Sequence, residues 1–126
     1  MHSLSAIALV FIGGGFGCVT RYLIAEYFIH PSFPKGTLIA NVISSLLLGL
    51  LMGLFMKELI GNQSKLLLMT GFCGGFSTFS TYSLEVVQLY QNGDMGTAIL
   101  YSLGSVILGI ICILVGLYAI QMVVTS

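Results

Sequence analysis

The stretch that decides the fold of this chain is Gly71-Phe72-Cys73-Gly74-Gly75-Phe76-Ser77-Thr78-Phe79-Ser80-Thr81-Tyr82-Ser83. It lies between two apolar runs, 66–69 and 84–90, inside a segment long enough to cross a membrane. Glycines and hydroxyls are tolerated at membrane depth where the backbone is buried in protein or lines a polar cavity, and not where it faces lipid. The stretch therefore predicts an interrupted membrane helix in a protein that handles an ion.

Composition places the rest of the chain in a bilayer as well. Of its 126 residues, 57% are hydrophobic and only 6% are charged, with a formal net charge of zero. A soluble domain carries roughly a quarter charged residues, and a neutral chain offers no basic surface for nucleic acid. Cys18, Cys73 and Cys112 stand far apart in apolar segments, which is typical of packing residues. No hydrolase triad, phosphate loop or metal motif is present, so we do not expect an enzyme.

Apolar runs predict an all-α membrane protein with four spans, at about 5–28, 37–56, 66–90 and 97–124. Each run reaches the roughly 20 residues that a hydrocarbon core of about 30 Å requires. The third span carries the interruption. We therefore predict one integral-membrane domain over 1–126, located in the cell membrane.

Charge gives little information on orientation. Lys57 and Lys65 fall on one side of the membrane, while Arg21 and Lys35 fall on the other, so the positive-inside rule has almost no bias to act on. Either other factors set the orientation, or the chain inserts both ways and forms an antiparallel homodimer. Small residues at four-residue spacing predict close helix contacts, and we expect a dimer. They are Gly13 and Gly17 in span one, Asn41, Ser45, Gly49 and Gly53 in span two, and Ser105, Gly109, Cys112 and Gly116 in span four.

Glycines in the third span allow two interpretations. Gly71, Gly74 and Gly75 can relax the backbone and free carbonyl oxygens, which in discontinuous membrane helices often coordinate a cation. Glycines equally permit a close helix crossing with no ion. The hydroxyls that follow, at 77–83, favour a polar route.

Two further groups could contact an anion. The amide of Asn41 could donate a hydrogen bond to an anion or bond to a neighbouring helix, and the sequence does not decide between them. Phe79 and Tyr82 lie three residues apart, and the positive edges of two rings could hold a small anion, although such a pair more often only packs.

Arg21 and Glu85 are the charged residues nearest the membrane interior. Arg21 lies one or two turns from the end of span one, so we expect it to reach the interface, and Glu26 nearby could pair with it. Glu85 lies on the helix face of Thr78, Thr81 and Tyr82. It could be a gate, a proton-linked group, or a carboxyl held by neighbouring hydroxyls.

The run from Gly74 to Ser83, followed by Glu85, closely resembles the signature of the Fluc (CrcB) fluoride channels, and 13–22 and 36–41 agree with it. The resemblance implies an antiparallel dual-topology dimer that exports cytoplasmic fluoride passively and relieves its toxicity. It also implies a structural sodium ion at the dimer centre, held by the backbone carbonyls of Gly74 and Ser77 and not transported. Asn41 corresponds to the pore asparagine of the family.

The resemblance assigns further roles. Phe79 and Tyr82 stand where the family's fluoride-contacting phenylalanine pair stands, with Tyr82 in place of the more usual Phe, and Arg21 is structural. Weaker pore-lining candidates are Thr37, Ser80, Thr81, Glu85, Tyr101 and Ser105.

The main rival is a proton-coupled transporter of the small-multidrug-resistance type, which is also a four-span, dual-topology dimer. That family places an essential Glu in span one, and the centre of span one here has none. A second rival is a non-transporting subunit whose glycine faces only pack. Pairing with a homologue of opposite orientation, instead of with itself, also stays open.

Overall fold

The computed structural model describes residues 3–124, which contain no strand. Two long helices come first, α1 (Leu4–Tyr27) and α2 (Lys35–Met56). A continuous helical stretch, α3, covers 62–76 and consists of Asn62–Ser64, a π-helix over Lys65–Cys73, and Gly74–Phe76. Two more helices follow, α4 (Phe79–Gln91) and α5 (Met95–Val124). The predicted domain 1–126 also includes residues 1–2 and 125–126, which lie outside the described residues.

Three of these helices, α1, α2 and α5, are long and apolar enough to cross a membrane. Their bounds lie close to the predicted limits of spans one, two and four. The predicted all-helical, multi-pass membrane protein is thus confirmed. The predicted span 66–90 corresponds to two shorter helices, α3 and α4, neither of which is long enough to cross alone.

Polar caps fix two helix starts at the ends of the bundle. The Ser3 hydroxyl accepts a hydrogen bond from the Ala6 amide at 3.2 Å, and the Asp94 carboxylate accepts one from the Thr97 amide at 3.1 Å. Hydrogen bonds from the side chain and backbone of Thr97 hold the pKa of Asp94 below its ordinary value. Asp94 therefore stays ionised at the start of α5, where a negative charge is favourable.

Glycines bring α1 and α3 into backbone contact. A Cβ on Gly17 would overlap the Phe72 carbonyl and the Phe76 amide, and one on Gly75 would overlap the Gly14 backbone. Gly13 similarly contacts the α3 backbone near Gly71. Contacts advance in the same direction along both helices, so α1 and α3 run parallel. Gly71 and Gly75 therefore serve a close helix crossing, and Gly74 has ordinary helical angles (φ −63°, ψ −38°).

A second parallel pair is formed by α2 and α5. A Cβ on Gly49 would overlap the backbone of Ile113, one on Gly53 would meet the Ile120 side chain, and one on Gly116 would meet the α2 backbone near Leu50. The small-residue faces predicted from the sequence are thus used within one chain. They no longer argue for a dimer, which has to be supported on other grounds.

The path from α3 into α4 runs antiparallel to α2. Ser44 donates to the Cys73 carbonyl at 3.2 Å, Asn41 contacts Thr78, and Thr37 donates to Glu85. Residue numbers fall along α2 as they rise along α3 and α4. The end of α3 and the start of α4 therefore meet next to Asn41.

Candidate functional site

Helix α3 ends at Phe76 and α4 begins at Phe79, with two extended residues between them. Ser77 has φ −83° and ψ 157°, and Thr78 has φ −148° and ψ 124°. The Thr78 hydroxyl caps α4 by accepting the Thr81 amide at 3.2 Å. The N-terminus of α4, with its partial positive charge, thus lies beside Asn41 of α2.

Asn41 holds this interruption in place through both halves of its amide. Its Oδ1 accepts the Thr78 backbone N–H at 2.8 Å, and its Nδ2 donates to the Thr78 carbonyl at 3.1 Å. The interhelical hydrogen bond considered in the sequence analysis is therefore formed. An amide NH2 has two hydrogens, so Nδ2 retains a second donor beside the interruption.

Two carbonyl oxygens at the interruption lack hydrogen-bond donors. Since the Thr78 amide bonds to Asn41, it does not continue the helical ladder to Gly74. Among residues 3–124, no hydrogen bond ends on the carbonyl oxygen of Gly74 or Ser77. The two oxygens predicted to bind a cation are thus free to accept one.

Arg21 lies at this interruption, and the expectation that it reaches the membrane interface stays a prediction. Its Nε donates to the Gly75 carbonyl at 3.1 Å. The expected ion pair with Glu26 is not formed within the described part of the chain. The bond crosses from α1 to the end of α3 and places a positive charge near the interruption.

A cavity of about 220 Å³ opens beside the interruption, and we call it the Asn41 cavity. It is lined by Asn41, Ser45, Ser77, Thr78, Phe79, Tyr82, Ser105, Val106 and Gly109. The three stronger pore candidates therefore line the same cavity, namely Asn41, Phe79 and Tyr82. The weaker candidate Ser105 lines it as well. Ser45 and Gly109 stand in the sequence only as small residues, and nothing in their pattern indicates a lining role.

The aromatic pair differs in how each ring is held. The ring centroids of Phe79 and Tyr82 are 5.8 Å apart, and Phe79 is 78% exposed. The Tyr82 hydroxyl donates to the Ser102 carbonyl of α5 at 2.5 Å, and its ring also contacts Tyr101. The Tyr82 hydroxyl is therefore bonded to α5, while Tyr82 also lines the Asn41 cavity.

A separate polar group, the Glu85 cluster, consists of Thr37, Glu85 and Tyr101. The Thr37 hydroxyl donates to Oε1 of Glu85, and the Tyr101 hydroxyl donates to Oε2, both at 2.6 Å. Thr37 and Tyr101 are buried, and Glu85 lines a cavity of about 480 Å³ that His30 and Asp94 also line. Of the three interpretations of Glu85, this geometry matches a carboxyl held by neighbouring hydroxyls.

The remaining pore candidates lie outside both groups. Ser80 is exposed, and the Thr81 hydroxyl accepts from the Thr78 hydroxyl at 3.2 Å without lining the Asn41 cavity. Within 3–124, no group of three or more His, Cys, Asp or Glu residues could hold a metal ion.

In multi-pass helical membrane proteins, a cavity beside a break between two helices is a place where channels and transporters bind ions. Residues 8–117 match the family model described as CrcB-like protein, Camphor Resistance (CrcB). The chain therefore belongs to the CrcB-like family, and the family predicted from the sequence is confirmed.

Relatives from distant microorganisms extend this match over nearly the whole chain. A protein of Pyrococcus furiosus is 44% identical over 115 residues, covering 90% of this chain and 94% of the relative. One of Nitrobacter winogradskyi is 38% identical over 121 residues, covering 93% and 96%. One of Agrobacterium fabrum is 41% identical over 115 residues, covering 88% and 92%. Each is named fluoride-specific ion channel FluC.

Proposed function

We propose that this chain forms a fluoride-specific ion channel that lets fluoride leave the cytoplasm passively. The observation that carries the proposal is the Asn41 cavity, where an amide donor, two aromatic rings and a free serine hydroxyl meet at an interrupted helix. Membership of a family whose relatives are named fluoride channels supports the choice of ion. It is a channel function and involves no catalysis.

The chemistry of the cavity suits a small, strongly hydrated anion. A pore has to replace the ion's water with hydrogen-bond donors, yet bind weakly enough at several sites to release it. The second Nδ2 hydrogen of Asn41 and the hydroxyl of Ser105 are such donors, and the ring edges of Phe79 and Tyr82 are electropositive. The N-terminus of α4 adds a favourable partial charge.

We further propose that α3 and α4 together make the third membrane crossing. Both run antiparallel to α2, from the level of Ser44 to the level of Thr37. Their combined length over 62–91 exceeds the roughly 20 residues that a crossing requires. The chain would then have four spans with a broken third helix.

A second copy of the chain completes this proposal. Gly74, Phe79 and Ser80 are all exposed in the single chain, beside carbonyl oxygens that cannot face lipid. An antiparallel homodimer, permitted by the weak charge bias, would cover this face. A homologue of opposite orientation would cover this face equally. Co-purification of an untagged copy with a tagged copy of this chain distinguishes the homodimer from the heterodimer.

The free carbonyl oxygens of Gly74 and Ser77 fit a sodium ion, since unwound membrane helices bind sodium through such groups. We propose that these two residues hold a structural sodium ion at the dimer centre. When bound, it neutralises carbonyl dipoles that lack donors. The ion would stay in place while fluoride moves.

Removing sodium is expected to destabilise the protein, because the Gly74 and Ser77 oxygens would lose their ligand. Purification with N-methylglucamine in place of sodium should lower the melting temperature in detergent and reduce fluoride efflux after reconstitution. Returning sodium, but not N-methylglucamine, should restore both. Equal melting temperatures and efflux rates in the two preparations would contradict the sodium proposal.

Fluoride resistance in cells tests the proposed function. A bacterium lacking its own fluoride exporter should grow in millimolar fluoride when it carries this chain, and Phe79→Ala should abolish that growth. Phe11→Ala is the matched control, since Phe11 is 81% exposed on α1 and distant from the Asn41 cavity. Resistance to quaternary ammonium compounds without resistance to fluoride would favour the multidrug-type transporter instead.

Tyr82→Phe tests the contribution of the Tyr82 ring apart from that of its hydroxyl. The variant keeps the ring edge but loses the bond to the Ser102 carbonyl, so we expect selective fluoride efflux to persist. Stability should fall by about 1 kcal/mol, the typical net value of one hydrogen bond, which thermal unfolding in detergent measures. Tyr90→Phe, at an exposed position outside the cavity, is the control. Loss of fluoride selectivity in Tyr82→Phe would show that the hydroxyl itself contacts the ion.

A further inference from the structure

A large cavity lies at the end of the bundle where α2 begins, and we call it the mouth cavity. Its volume is about 480 Å³. His30 lines it from the loop between α1 and α2, Glu85 lines it from α4, and Asp94 lines it from the turn before α5. Glu85 also accepts a hydrogen bond from Thr37, which precedes Asn41 on α2 by four residues, or about 6 Å. The mouth cavity therefore lies about one helical turn from the level of Asn41, toward the start of α2.

The loop beside this cavity is held by contacts with two helices. The Phe33 ring packs edge-on against the Tyr101 ring of α5, with the ring centroids 5.5 Å apart. A Cβ on Gly36 would overlap the backbone of Ala25, so the loop enters α2 directly against the end of α1. These contacts with α1 and α5 position the loop, and with it the exposed imidazole of His30, at the mouth cavity.

Carboxylates dominate the charge of the mouth cavity. Both Glu85 oxygens accept hydrogen bonds, one of them from Tyr101, as an ionised carboxylate does. Hydrogen bonds at the start of α5 hold Asp94 in its ionised form. Among residues 3–124, no Lys or Arg lines the mouth cavity, while Lys35 lines a smaller cavity of about 170 Å³ that His30 and Glu85 also line. From α1, only uncharged residues line the smaller cavity. An anion that approaches the mouth cavity therefore meets two negative groups.

His30 is the residue of the mouth cavity that can become positive. The backbone N–H of Ser32 donates to Nδ1 of His30 at 3.2 Å, which fits a neutral imidazole with its hydrogen on Nε2. A proton added at Nδ1 turns this acceptor into a donor, so the bond to Ser32 is lost. The imidazolium that results places a positive charge in the cavity that Glu85 and Asp94 line.

We infer that the mouth cavity is the site where fluoride enters and leaves the pathway at this end of the bundle, and that protonation of His30 favours its passage. The inference rests on the proposed function and assigns His30 a part in it. A positive charge in a cavity raises the local concentration of anions and their rate of entry. Because an imidazole changes its charge between about pH 5 and 8, fluoride should pass faster in mild acid. Acid is also the condition in which more fluoride exists as membrane-permeant hydrogen fluoride.

Fluoride efflux from proteoliposomes at two pH values tests the inference, with equal pH inside and outside and fluoride well below saturation. Wild-type efflux should be about twofold to fourfold faster at about pH 5.5 than at about pH 7.5, the factor for a unit charge about 5–8 Å away in a water-like dielectric. Protein-free liposomes at each pH measure the leak of hydrogen fluoride, which is subtracted. His30→Gln should remove the gain in acid. His2→Gln, which changes the other histidine of the chain, is the control.

His30→Lys provides a readout that a merely structural role of His30 would not move. Its permanent charge should give fast efflux at both pH values, whereas a structural role would make the Gln and Lys variants alike. The gain should also shrink in high salt, which screens charges at an exposed site. Melting temperatures of the variants verify folding.

The outcomes separate this inference from the proposed function. A wild type that passes fluoride equally fast at both pH values, or a His30→Gln variant that keeps the gain in acid, overturns the role of His30 alone. A folded wild type that passes no fluoride at either pH overturns the inference and the proposed function together.

Discussion

Asn41→Ala is expected to reduce fluoride efflux at least about tenfold. The substitution removes both hydrogen bonds that hold Thr78, at 2.8 and 3.1 Å, and the amide donor that faces the cavity. Leaving the Thr78 N–H and C=O unpaired is unfavourable by about 1–3 kcal/mol for each group. The interruption between α3 and α4 would then lose its geometry, and the cavity its donor.

Efflux from proteoliposomes measures this effect, with Asn41→Asp as an informative second variant. Aspartate keeps an acceptor for the Thr78 amide but cannot donate to the Thr78 carbonyl, and its negative charge repels an anion. We therefore expect Asn41→Asp to reduce fluoride efflux as well. Asn92→Ala, in the exposed turn before α5, is the control. A wild-type rate of fluoride efflux in Asn41→Ala would show that the two hydrogen bonds between Asn41 and Thr78 do not shape the fluoride pathway.

Gly17→Ala is expected to have the largest effect on folding. Its methyl group would overlap the Phe72 carbonyl and the Phe76 amide, backbone atoms that cannot move without separating α1 from α3. Overpacking of this kind typically costs about 1–3 kcal/mol and more where backbone is involved. The variant should lose its monodisperse peak in detergent or melt at a much lower temperature.

Gly15→Ala is the matched control, two residues away on the same helix. No atom lies within 4 Å of the added methyl group, and alanine favours helix over glycine by about 1 kcal/mol. It should fold as well as the wild type or better. Equal melting temperatures for the two alanine variants would contradict the close crossing of α1 and α3.

Much of the fold could be predicted, because long apolar runs mark the positions of α1, α2 and α5 to within about two residues. The π-helix over Lys65–Cys73 could not, since nothing in its sequence distinguishes it from an α-helix. The sequence predicts an interruption in this region, but for a physical reason that the structure does not bear out. Glycines were expected to relax the backbone, yet Gly71 and Gly75 sit in helical structure at a crossing, and the extended residues are Ser77 and Thr78.

Site residues on a single helix were easier to predict than pairs between helices. Phe79 and Tyr82 follow from helical spacing, whereas the bond between Arg21 and the Gly75 carbonyl joins residues 54 positions apart. The facing of Ser45 and Gly109 depends on the register of α2 against α5, which one sequence does not determine. Long side chains at membrane depth have several possible partners, and only the fold selects one.

The most direct test of the central claim is the fluoride and chloride efflux of the purified wild-type protein in liposomes, followed with ion-selective electrodes. We expect rapid passive fluoride efflux that needs no proton gradient, with chloride efflux far slower. Fluoride efflux no faster than that of protein-free liposomes, from a preparation that is folded and correctly reconstituted, would contradict it.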